Sequence, residues 1–310
     1  PERLQGKVIR NLLAEIAAKG KLVALAVDEA HCISSWGHDF RPAYLRIGEI
    51  RQLCKGVPLV ALSGTASPRV RADIIRLLDL RNPLVQVCSA RRNNLHYSMR
   101  RRPREPLNDV IKEIKGSRGA CLIYVRTRSS VEKWTNLLKS QGVPAIPYHA
   151  GLEPKAREKA LKNFLDEPGP VLVATVAFGM GVDRPDVGLV LHLNLPSTPE
   201  GYLQESGRAG RDGLPANCIV LFSPGDRKRL SWAMKSSTCV SSQVTSNFGN
   251  DIRLDIAHEQ LRRIEAVAEG DLCREGAVVQ AVGELVSPGG RCDRCIEALE
   301  TGDWSKGAIS

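Results

Sequence analysis

The chain has 310 residues, of which 43% are hydrophobic and 25% charged, a composition that predicts a folded globular protein long enough for two domains. It holds no apolar run near the ~20 residues that a membrane-spanning helix needs, so the membrane class is excluded along with the collagen-like and disordered classes. Lys and Arg number 44 against 34 Asp and Glu, and this excess favours a polyanionic partner. Nine cysteines, mostly single and in apolar stretches, favour a reduced protein over a disulfide scaffold.

The first ninety residues show apolar runs separated by amphipathic segments. A helix is predicted over 5–19, and the apolar runs 22–27 and 58–62 predict buried parallel strands. Ser67 followed by Pro68 predicts the start of a further helix. Residues 84–87 predict a third short strand.

A basic segment follows. Residues 91–104 contain six arginines and few apolar residues, which predicts a solvated linker at a domain boundary. A second interpretation places these arginines along a nucleic-acid backbone.

Beyond this segment, strands and helices alternate regularly up to residue 225, which is typical of a parallel α/β sheet. Residues 226–310 change to longer polar helices and a final stretch rich in Gly and Cys, and we expect a third, smaller unit there. The predicted strands are 119–125, 144–148, 170–175, 187–193 and 216–222, and the predicted helices are 106–115, 129–140, 154–166 and 199–207.

Two adjacent acids, Asp28 and Glu29, directly follow the strand predicted at 22–27. The carboxyl end of a strand is where α/β sheets present ligand chemistry. In nucleotide hydrolysis, Asp28 would hold Mg²⁺ through a water molecule and Glu29 would orient or deprotonate the attacking water. Taken alone, a pair of surface acids in a turn is an equally good interpretation.

The next segment is rich in aromatic residues, although the whole chain is only 5% aromatic. Trp36, Phe40 and Tyr44 lie there with two histidines and an arginine. Aromatic faces beside an arginine suit single-stranded nucleic acid, because bases stack and phosphates pair with the guanidinium. An apolar plug under a loop is the alternative, but a plug would not need His38 and Arg41.

DEAH running into HCISSWGHDFRPAY resembles motif II and the aromatic-rich loop of the RecQ family of DNA helicases, in superfamily 2. The resemblance covers residues 1–225 well and the remainder weakly, and the other motifs follow in the family's order. They are SGTA at 63–66 (motif III, for which the family more often has a threonine-alanine-threonine form), LIYVRTRSSVE at 122–132 (motif IV), YHAG at 148–151 (beside bound DNA), ATVAFGMGVDRPDV at 174–187 (motif V) and QESGRAGRDG at 204–213 (motif VI).

The resemblance implies an α/β fold with part of a first RecA-like lobe over 1–90, a complete second RecA-like lobe over 105–225, and a small, mainly helical, zinc-type subdomain over 226–310. ATP and Mg²⁺ would bind between the lobes, and hydrolysis would drive 3′-to-5′ unwinding of single-stranded and branched DNA in repair, recombination or replication. It implies catalytic roles for Asp28, Glu29, His31, Gln204, Arg208 and Arg211, nucleotide contacts from Gly181 and Asp183, and DNA contact or coupling by Trp36, His38, Phe40, Arg41, Ser63, Thr65, Arg126, His149 and Thr175.

The chemistry of these residues agrees with those roles. Planar, permanently charged guanidinium groups suit a γ-phosphate, so we predict Arg211 as the arginine finger with Arg208 beside it; two solvated loop arginines are the alternative. Thr175 ends an apolar strand, where its hydroxyl would hold a DNA phosphate. For His149, a hydrogen-bonded loop histidine is an equally good interpretation.

No G-x-x-x-x-G-K-[ST] phosphate loop occurs in the 310 residues. In the family, Pro-Glu-Arg-Leu lies downstream of that loop, so we expect an N-terminally truncated RecQ without ATP turnover of its own and with an uncovered apolar edge on its first sheet. An ATPase-dead module that binds single-stranded nucleic acid is one alternative, and a DEAH-type RNA helicase, against which the aromatic loop argues, is another. We expect the protein at a bacterial nucleoid in the cytoplasm, or in a nucleus.

The C-terminal segment departs from the family's zinc subdomain, which carries four cysteines. Cys273, Cys292 and Cys295 match three of them, but Gly289 stands where the fourth would be. Three thiolates with water or His258 as fourth ligand would bind Zn²⁺, although structural zinc sites usually close with four protein ligands. Ordinary reduced cysteines are the alternative.

Overall fold

The computed structural model describes residues 1–37, 39–179, 182–232 and 247–303. It divides into two compact units, Pro1–Ala90 with Ala281–Glu284, and Arg91–Gln280 with Leu285–Ser310. His38 and Gly181, which the resemblance assigns to DNA and nucleotide, lie outside the described residues, and their roles stay predictions.

The first unit holds a short parallel sheet with helices packed around it. Leu25 pairs with Leu59 and Val27 with Ala61 in parallel register. The Ser67 hydroxyl accepts a hydrogen bond from the Val70 amide and so caps the helix that begins at Pro68, as predicted. The elements are helices α1 (Lys7–Ala18), α2 (Pro42–Leu45), α3 (Ile47–Leu53) and α4 (Pro68–Leu77), and strands β1 (Leu25–Val27) and β2 (Leu59–Ala61).

The strand predicted at 84–87 is wrong. Leu84 is 95% exposed, and neither β1 nor β2 pairs with this segment. An apolar run forms a strand only where a neighbour satisfies its amides and carbonyls, and no described strand of this unit offers that edge to it. As expected, apolar side chains beside the small sheet stay uncovered: Val60 is 47% and Leu62 51% exposed.

The second unit is built on a six-stranded parallel sheet of β3 (Leu95–Arg101) and the five strands β4 to β8, in the order β3-β8-β7-β4-β6-β5. Its core is the set of apolar side chains between the sheet and helices α5 and α6. The elements predicted from 105 to 225 agree with the structure to within one residue at each end. They are α5 (Leu107–Gly116), β4 (Ala120–Tyr124), α6 (Arg128–Ser140), β5 (Ala145–Tyr148), α7 (Pro154–Asp166), β6 (Val171–Ala174), β7 (Val187–His192), α8 (Pro199–Ser206) and β8 (Ala216–Phe222).

The basic segment at 91–104 contains a strand that we did not predict, β3 (Leu95–Arg101), which pairs with β8 along its whole length. Leu95, Tyr97 and Met99 are buried, so the period-2 alternation of a half-buried strand is present. The arginines around it hid that pattern. An edge strand tolerates such charges because one side of it faces solvent.

Residues 226–310 contribute helices to the second unit and one segment to the first. Residues 226–232 are helical, and α9 (Asn247–Glu269), α10 (Arg274–Val279) and α11 (Asp293–Thr301) follow. Glu284 belongs to the first unit, where its carboxylate accepts from the Ser89 hydroxyl at 2.5 Å and from the Ala90 amide at 2.7 Å. Among the described residues, no helix is long and apolar enough to cross a membrane.

Candidate functional site

In the first unit, the acid pair Asp28 and Glu29 leaves the carboxyl end of β1 through a tight turn. Glu29 adopts φ 49° and ψ 42°, the left-handed region that costs a non-glycine residue about 1–3 kcal/mol. Its amide donates to Asp28 Oδ1 at 2.8 Å, and the Ala30 amide donates to the Leu62 carbonyl at 2.8 Å. The segment after β2 therefore holds the backbone of the turn that carries both carboxylates.

His31 joins this acid pair to motif III. Its side chain is buried, and Nδ1 lies 3.0 Å from Ser63 Oγ and 3.3 Å from Glu29 Oε2. Ser63 Oγ also accepts from the Thr65 amide at 3.4 Å. The structure thus brings Glu29, His31, Ser63 and Thr65 together.

The aromatic loop is tied to helix α4. Trp36 is half-buried, and the guanidinium carbon of Arg69 lies 3.1 Å from the centre of its ring, a cation–π contact. The Ser34 hydroxyl donates to Asp73 Oδ2 at 2.7 Å and accepts from the Trp36 amide at 3.2 Å. Sequence reasoning missed Arg69, because nothing distinguishes it from any other helix arginine before its contact is seen.

The same loop also reaches back to the acids. The Tyr44 hydroxyl donates to the Asp28 carbonyl at 3.2 Å, and burial raises the pKa of Tyr44 to about 12, so it stays protonated and able to donate. Arg41 Nε donates to Asp39 Oδ2 at 3.1 Å, and Phe40 is half-buried beside them. Tyr44 is therefore a direct physical link between the predicted DNA-binding loop and the predicted magnesium ligand.

In the second unit, the two motif VI arginines meet the motif V loop. Arg208 Nη1 and Arg211 Nη1 each lie 3.4 Å from the Val182 carbonyl, and Arg211 Nη1 lies 2.6 Å from Asp183 Oδ1. Arg208 is buried beside Gly179, and its Nε has no hydrogen-bond partner within the described part of the chain. The structure thus brings both arginines to one place within this unit, and their roles at a nucleotide stay predictions.

Motif VI is held by residues that we had assigned to the linker. Arg92 Nη2 and Asn94 Nδ2 donate to the Gly210 carbonyl at 2.6 and 2.7 Å, and Asn94 Nδ2 also donates to the Leu214 carbonyl at 2.8 Å. Gln204 lies on α8, which Thr198 caps by accepting from the Gly201 amide. Without the β3–β8 pairing, nothing in the sequence places residues 92–94 beside 210.

Three predicted DNA contacts lie near the carboxyl ends of β4, β5 and β6. Thr175 is buried, and its amide donates to the Tyr148 carbonyl at 3.3 Å. His149 Nε2 lies 2.8 Å from Glu132 Oε1, and its Nδ1 accepts from the Gly151 amide at 3.1 Å. Both ring nitrogens are thus hydrogen-bonded within the chain, which supports the loop-histidine interpretation, and the DNA contact stays a prediction.

Arg126 faces a buried carboxylate together with two other arginines. Asp226 Oδ1 lies 4.0 Å from Arg126 Nη2, 3.8 Å from Arg102 Nη2 and 3.7 Å from Arg229 Nη1. Burial lowers the pKa of Arg126, and Asp226 opposes that shift. Its role at DNA also stays a prediction.

The three C-terminal cysteines form one buried cluster. The sulfur atoms of Cys273, Cys292 and Cys295 lie within 4.8 Å of one another, and those of Cys273 and Cys292 are 3.9 Å apart. A hydrogen bond from the Cys292 thiol lowers the pKa of Cys273. His258 does not join them: its Nε2 lies 2.9 Å from Ser231 Oγ, so the suggestion of His258 as fourth ligand is wrong.

The fourth position of a closed zinc site does not fit this chain. A Cβ atom at Gly289 would lie 2.3 Å from Glu275 Oε2 and 2.4 Å from Arg91 Nη2, so other side chains fill that space. Among the described His, Cys, Asp and Glu residues, no other ligand atom joins the three sulfurs. The cluster supplies three thiols and, from the described residues, no fourth protein ligand.

Comparison with known proteins agrees with this arrangement. The family "helicase conserved C-terminal domain" matches residues 105–213. ATP-dependent DNA helicase RecQ of Haemophilus influenzae is 35% identical over 94% of this chain and 45% of its own length. RecQ-like DNA helicase BLM of Xenopus laevis is 40% identical over 85% of this chain and 19% of its own length. The chain therefore spans less than half the length of these relatives.

A solved structure shows a similar fold. Dbp5 of Saccharomyces cerevisiae, bound to RNA and ADP BeF3, matches with a TM-score of 0.53 at 21% identity, covering 73% of this chain and 61% of that one. Motif order, site geometry and identity over nearly the whole chain agree: by its sequence, this chain belongs to the RecQ family of DNA helicases.

Proposed function

We propose that the chain is part of an ATP-dependent 3′-to-5′ DNA helicase and acts on single-stranded and branched DNA. The observation that carries the proposal is the chain of contacts in the first unit. Tyr44 joins the aromatic loop to Asp28, and His31 joins Glu29 to Ser63. Through these contacts, a base stacking on the loop would shift the acids.

The acid pair would serve Mg²⁺ and ATP. Asp28 is a hard oxygen ligand suited to Mg²⁺, held through water. Glu29, whose carboxylate lies 3.3 Å from the His31 ring, would orient or deprotonate the water that attacks the γ-phosphate.

The arginine pair of the second unit would neutralise the phosphate charge. Arg211 is paired with Asp183, whose side chain is 80% exposed. Such an exposed ion pair contributes roughly 0–1 kcal/mol to stability. A bidentate hydrogen bond from the guanidinium to a phosphate is stronger, so Arg211 would readily leave Asp183 for a phosphate. Arg208 is buried beside it, and its Nε lacks a partner among the described residues, which suits a second, fixed donor.

Nucleic acid would be held by stacking and phosphate contacts. Trp36 and Phe40 offer aromatic faces, and Arg41 a cation, in one loop. The net charge of +10 favours the same partner. A DNA substrate implies work at a bacterial nucleoid or in a nucleus, and in repair, recombination or replication.

An ATPase-dead, single-strand-binding module is the second candidate. It is favoured by the sequence, because no G-x-x-x-x-G-K-[ST] phosphate-loop motif occurs in the 310 residues. Both candidates predict DNA binding by the chain, and they differ in ATP turnover once a phosphate loop is supplied.

The test uses a fusion protein in which a RecQ-family phosphate-loop segment, with a G-x-x-x-x-G-K-[ST] motif, precedes residues 1–310. We expect DNA-stimulated ATP turnover from it, and we expect Arg41→Ala to reduce the stimulation about tenfold, because one phosphate contact next to the Tyr44 link is lost. Turnover is measured with and without an oligo-dT strand.

Arg81→Ala is the matched control, since Arg81 is 82% exposed and pairs only loosely with Asp79 at 3.4 Å. An Arg41→Ala protein that keeps full DNA stimulation would count against the role of the loop. A fusion protein that binds DNA without any turnover would favour the ATPase-dead module.

A further inference from the structure

Three charged residues form an ion triad beside the cysteine cluster: Arg91, Glu275 and Arg291. Glu275 is 2% exposed, and its Oε2 lies 3.2 Å from Arg91 Nη2 and 3.3 Å from Arg291 Nη2. Arg91 precedes β3, Glu275 lies in α10, and Arg291 comes just before α11. The triad therefore joins three segments that are far apart in the sequence.

The triad occupies the space next to Gly289. A Cβ atom there would lie 2.3 Å from Glu275 Oε2, 2.4 Å from Arg91 Nη2 and 2.9 Å from Arg291 Nη2. Heavy atoms do not approach so closely, so a cysteine at 289 would have to displace the carboxylate and both guanidinium groups. The ion triad and a fourth thiolate therefore cannot occupy the space beside residue 289 at the same time.

The sulfur atoms have hydrogen-bond donors from the protein itself. The amides of Arg274 and Cys295 donate to Cys292 Sγ at 3.3 and 3.4 Å, and the amide of Gly276 donates to Cys273 Sγ at 3.5 Å. Buried sulfur is thereby stabilised by backbone groups. A structural zinc site, by contrast, normally takes four protein ligands.

We infer that in this chain the ion triad replaces the fourth metal ligand as the cross-link of the C-terminal helices, so that this region folds without zinc. The ion pairs of Glu275 with Arg91 and Arg291 hold α10 to the segments around residues 91 and 291. The cysteines remain as a buried cluster whose sulfur atoms accept hydrogen bonds from backbone amides.

The inference is tested on the full 310-residue chain by thermal unfolding with and without a high-affinity zinc chelator, alongside elemental analysis for zinc. We expect the chelator to shift the melting temperature by less than about 1 °C, because an entire structural metal site is worth far more than that. A chelator-induced drop of several degrees, or one zinc per chain that survives dialysis against the chelator, would overturn the inference.

A substitution measures the triad itself. Glu275→Gln is expected to lower the melting temperature by roughly 6–15 °C, because it removes the buried negative charge that faces two guanidinium groups. Glu300→Gln, at an exposed position of α11, is the matched control and should leave it unchanged. Equal melting temperatures for the two variants would show that the triad does not hold the helices.

A second pair of variants tests the replacement by zinc binding, which does not depend on the melting temperature of Glu275→Gln. Gly289→Cys combined with Glu275→Ala supplies a fourth thiol and removes the carboxylate that holds Arg91 and Arg291 beside residue 289. Without that carboxylate both guanidinium groups are free to turn toward solvent, so the double variant is expected to gain one chelator-resistant zinc per chain. Gly289→Cys alone should not, because Glu275 still fills the space. Equally tight zinc binding by the single and double variants would contradict the replacement.

Discussion

In the fusion protein, Glu29→Gln is expected to lower DNA-stimulated ATP turnover about 10²–10⁴-fold, the contribution usually made by a positioned general base. Glutamine keeps the size of the side chain and leaves the backbone turn at φ 49° unchanged, but it cannot accept the proton of the attacking water. ATP and DNA binding should persist, because Asp28 and the loop are untouched. Turnover is followed by phosphate release at saturating ATP and oligo-dT.

Glu49→Gln provides the matched control for this substitution. Glu49 lies in the same unit, is half-exposed, and pairs with Arg10 at 2.9 Å, away from the acid pair. Its replacement should leave turnover within twofold of the unsubstituted fusion. A Glu29→Gln protein that loses less than tenfold would mean that another group activates the water.

Gly210→Ala is expected to destabilise the second unit by about 3 kcal/mol, the sum of a left-handed alanine and the hydrogen bonds lost with Asn94. Gly210 has φ +54°, and a Cβ atom there would lie 2.4 Å from Asn94 Nδ2 and 2.8 Å from the Leu214 carbonyl. Asn94 must therefore move, and its hydrogen bonds to the Gly210 and Leu214 carbonyls are lost.

Gly213→Ala separates the two contributions to that loss. Gly213 has φ +81°, but apart from its own backbone and its two chain neighbours no heavy atom of the described residues lies within 4 Å of the place that an alanine Cβ would take, so only the backbone cost of about 1 kcal/mol applies. Circular dichroism melts should show a drop roughly 4–8 °C larger for Gly210→Ala than for Gly213→Ala. Equal drops would contradict the anchoring of motif VI by Asn94.

The regular part of the fold could be predicted because its central strands, β4, β6 and β7, are buried on both faces. Strands β4 and β6 are continuous apolar runs that are buried along their whole length, and helices α5, α6 and α7 between the strands are amphipathic, so hydrophobic periodicity separates strands from helices. Strand β3 escaped because its buried positions, such as Leu95 and Tyr97, alternate within a segment full of arginines. The strand predicted at 84–87 failed for the opposite reason, since apolar character does not supply a pairing edge.

The site residues could be predicted from motifs, but the residues that hold them in place could not. Asp28, Glu29, Arg208 and Arg211 stand in recognisable local patterns. The contact of Arg69 with Trp36 and the filling of the space at Gly289 depend on residues distant in sequence, which only the folded chain brings together.

We would first measure competition between single-stranded DNA and RNA of equal length for the full 310-residue chain, by fluorescence anisotropy across a salt series, with ATP turnover recorded in parallel. We expect DNA to bind in preference to RNA, with affinity that falls steeply as salt rises. We expect no ATP turnover, because no G-x-x-x-x-G-K-[ST] motif occurs in the 310 residues. RNA that displaces DNA, or binding that fails even at low salt, would contradict a DNA-acting helicase, and the RNA result would favour a DEAH-type RNA helicase instead.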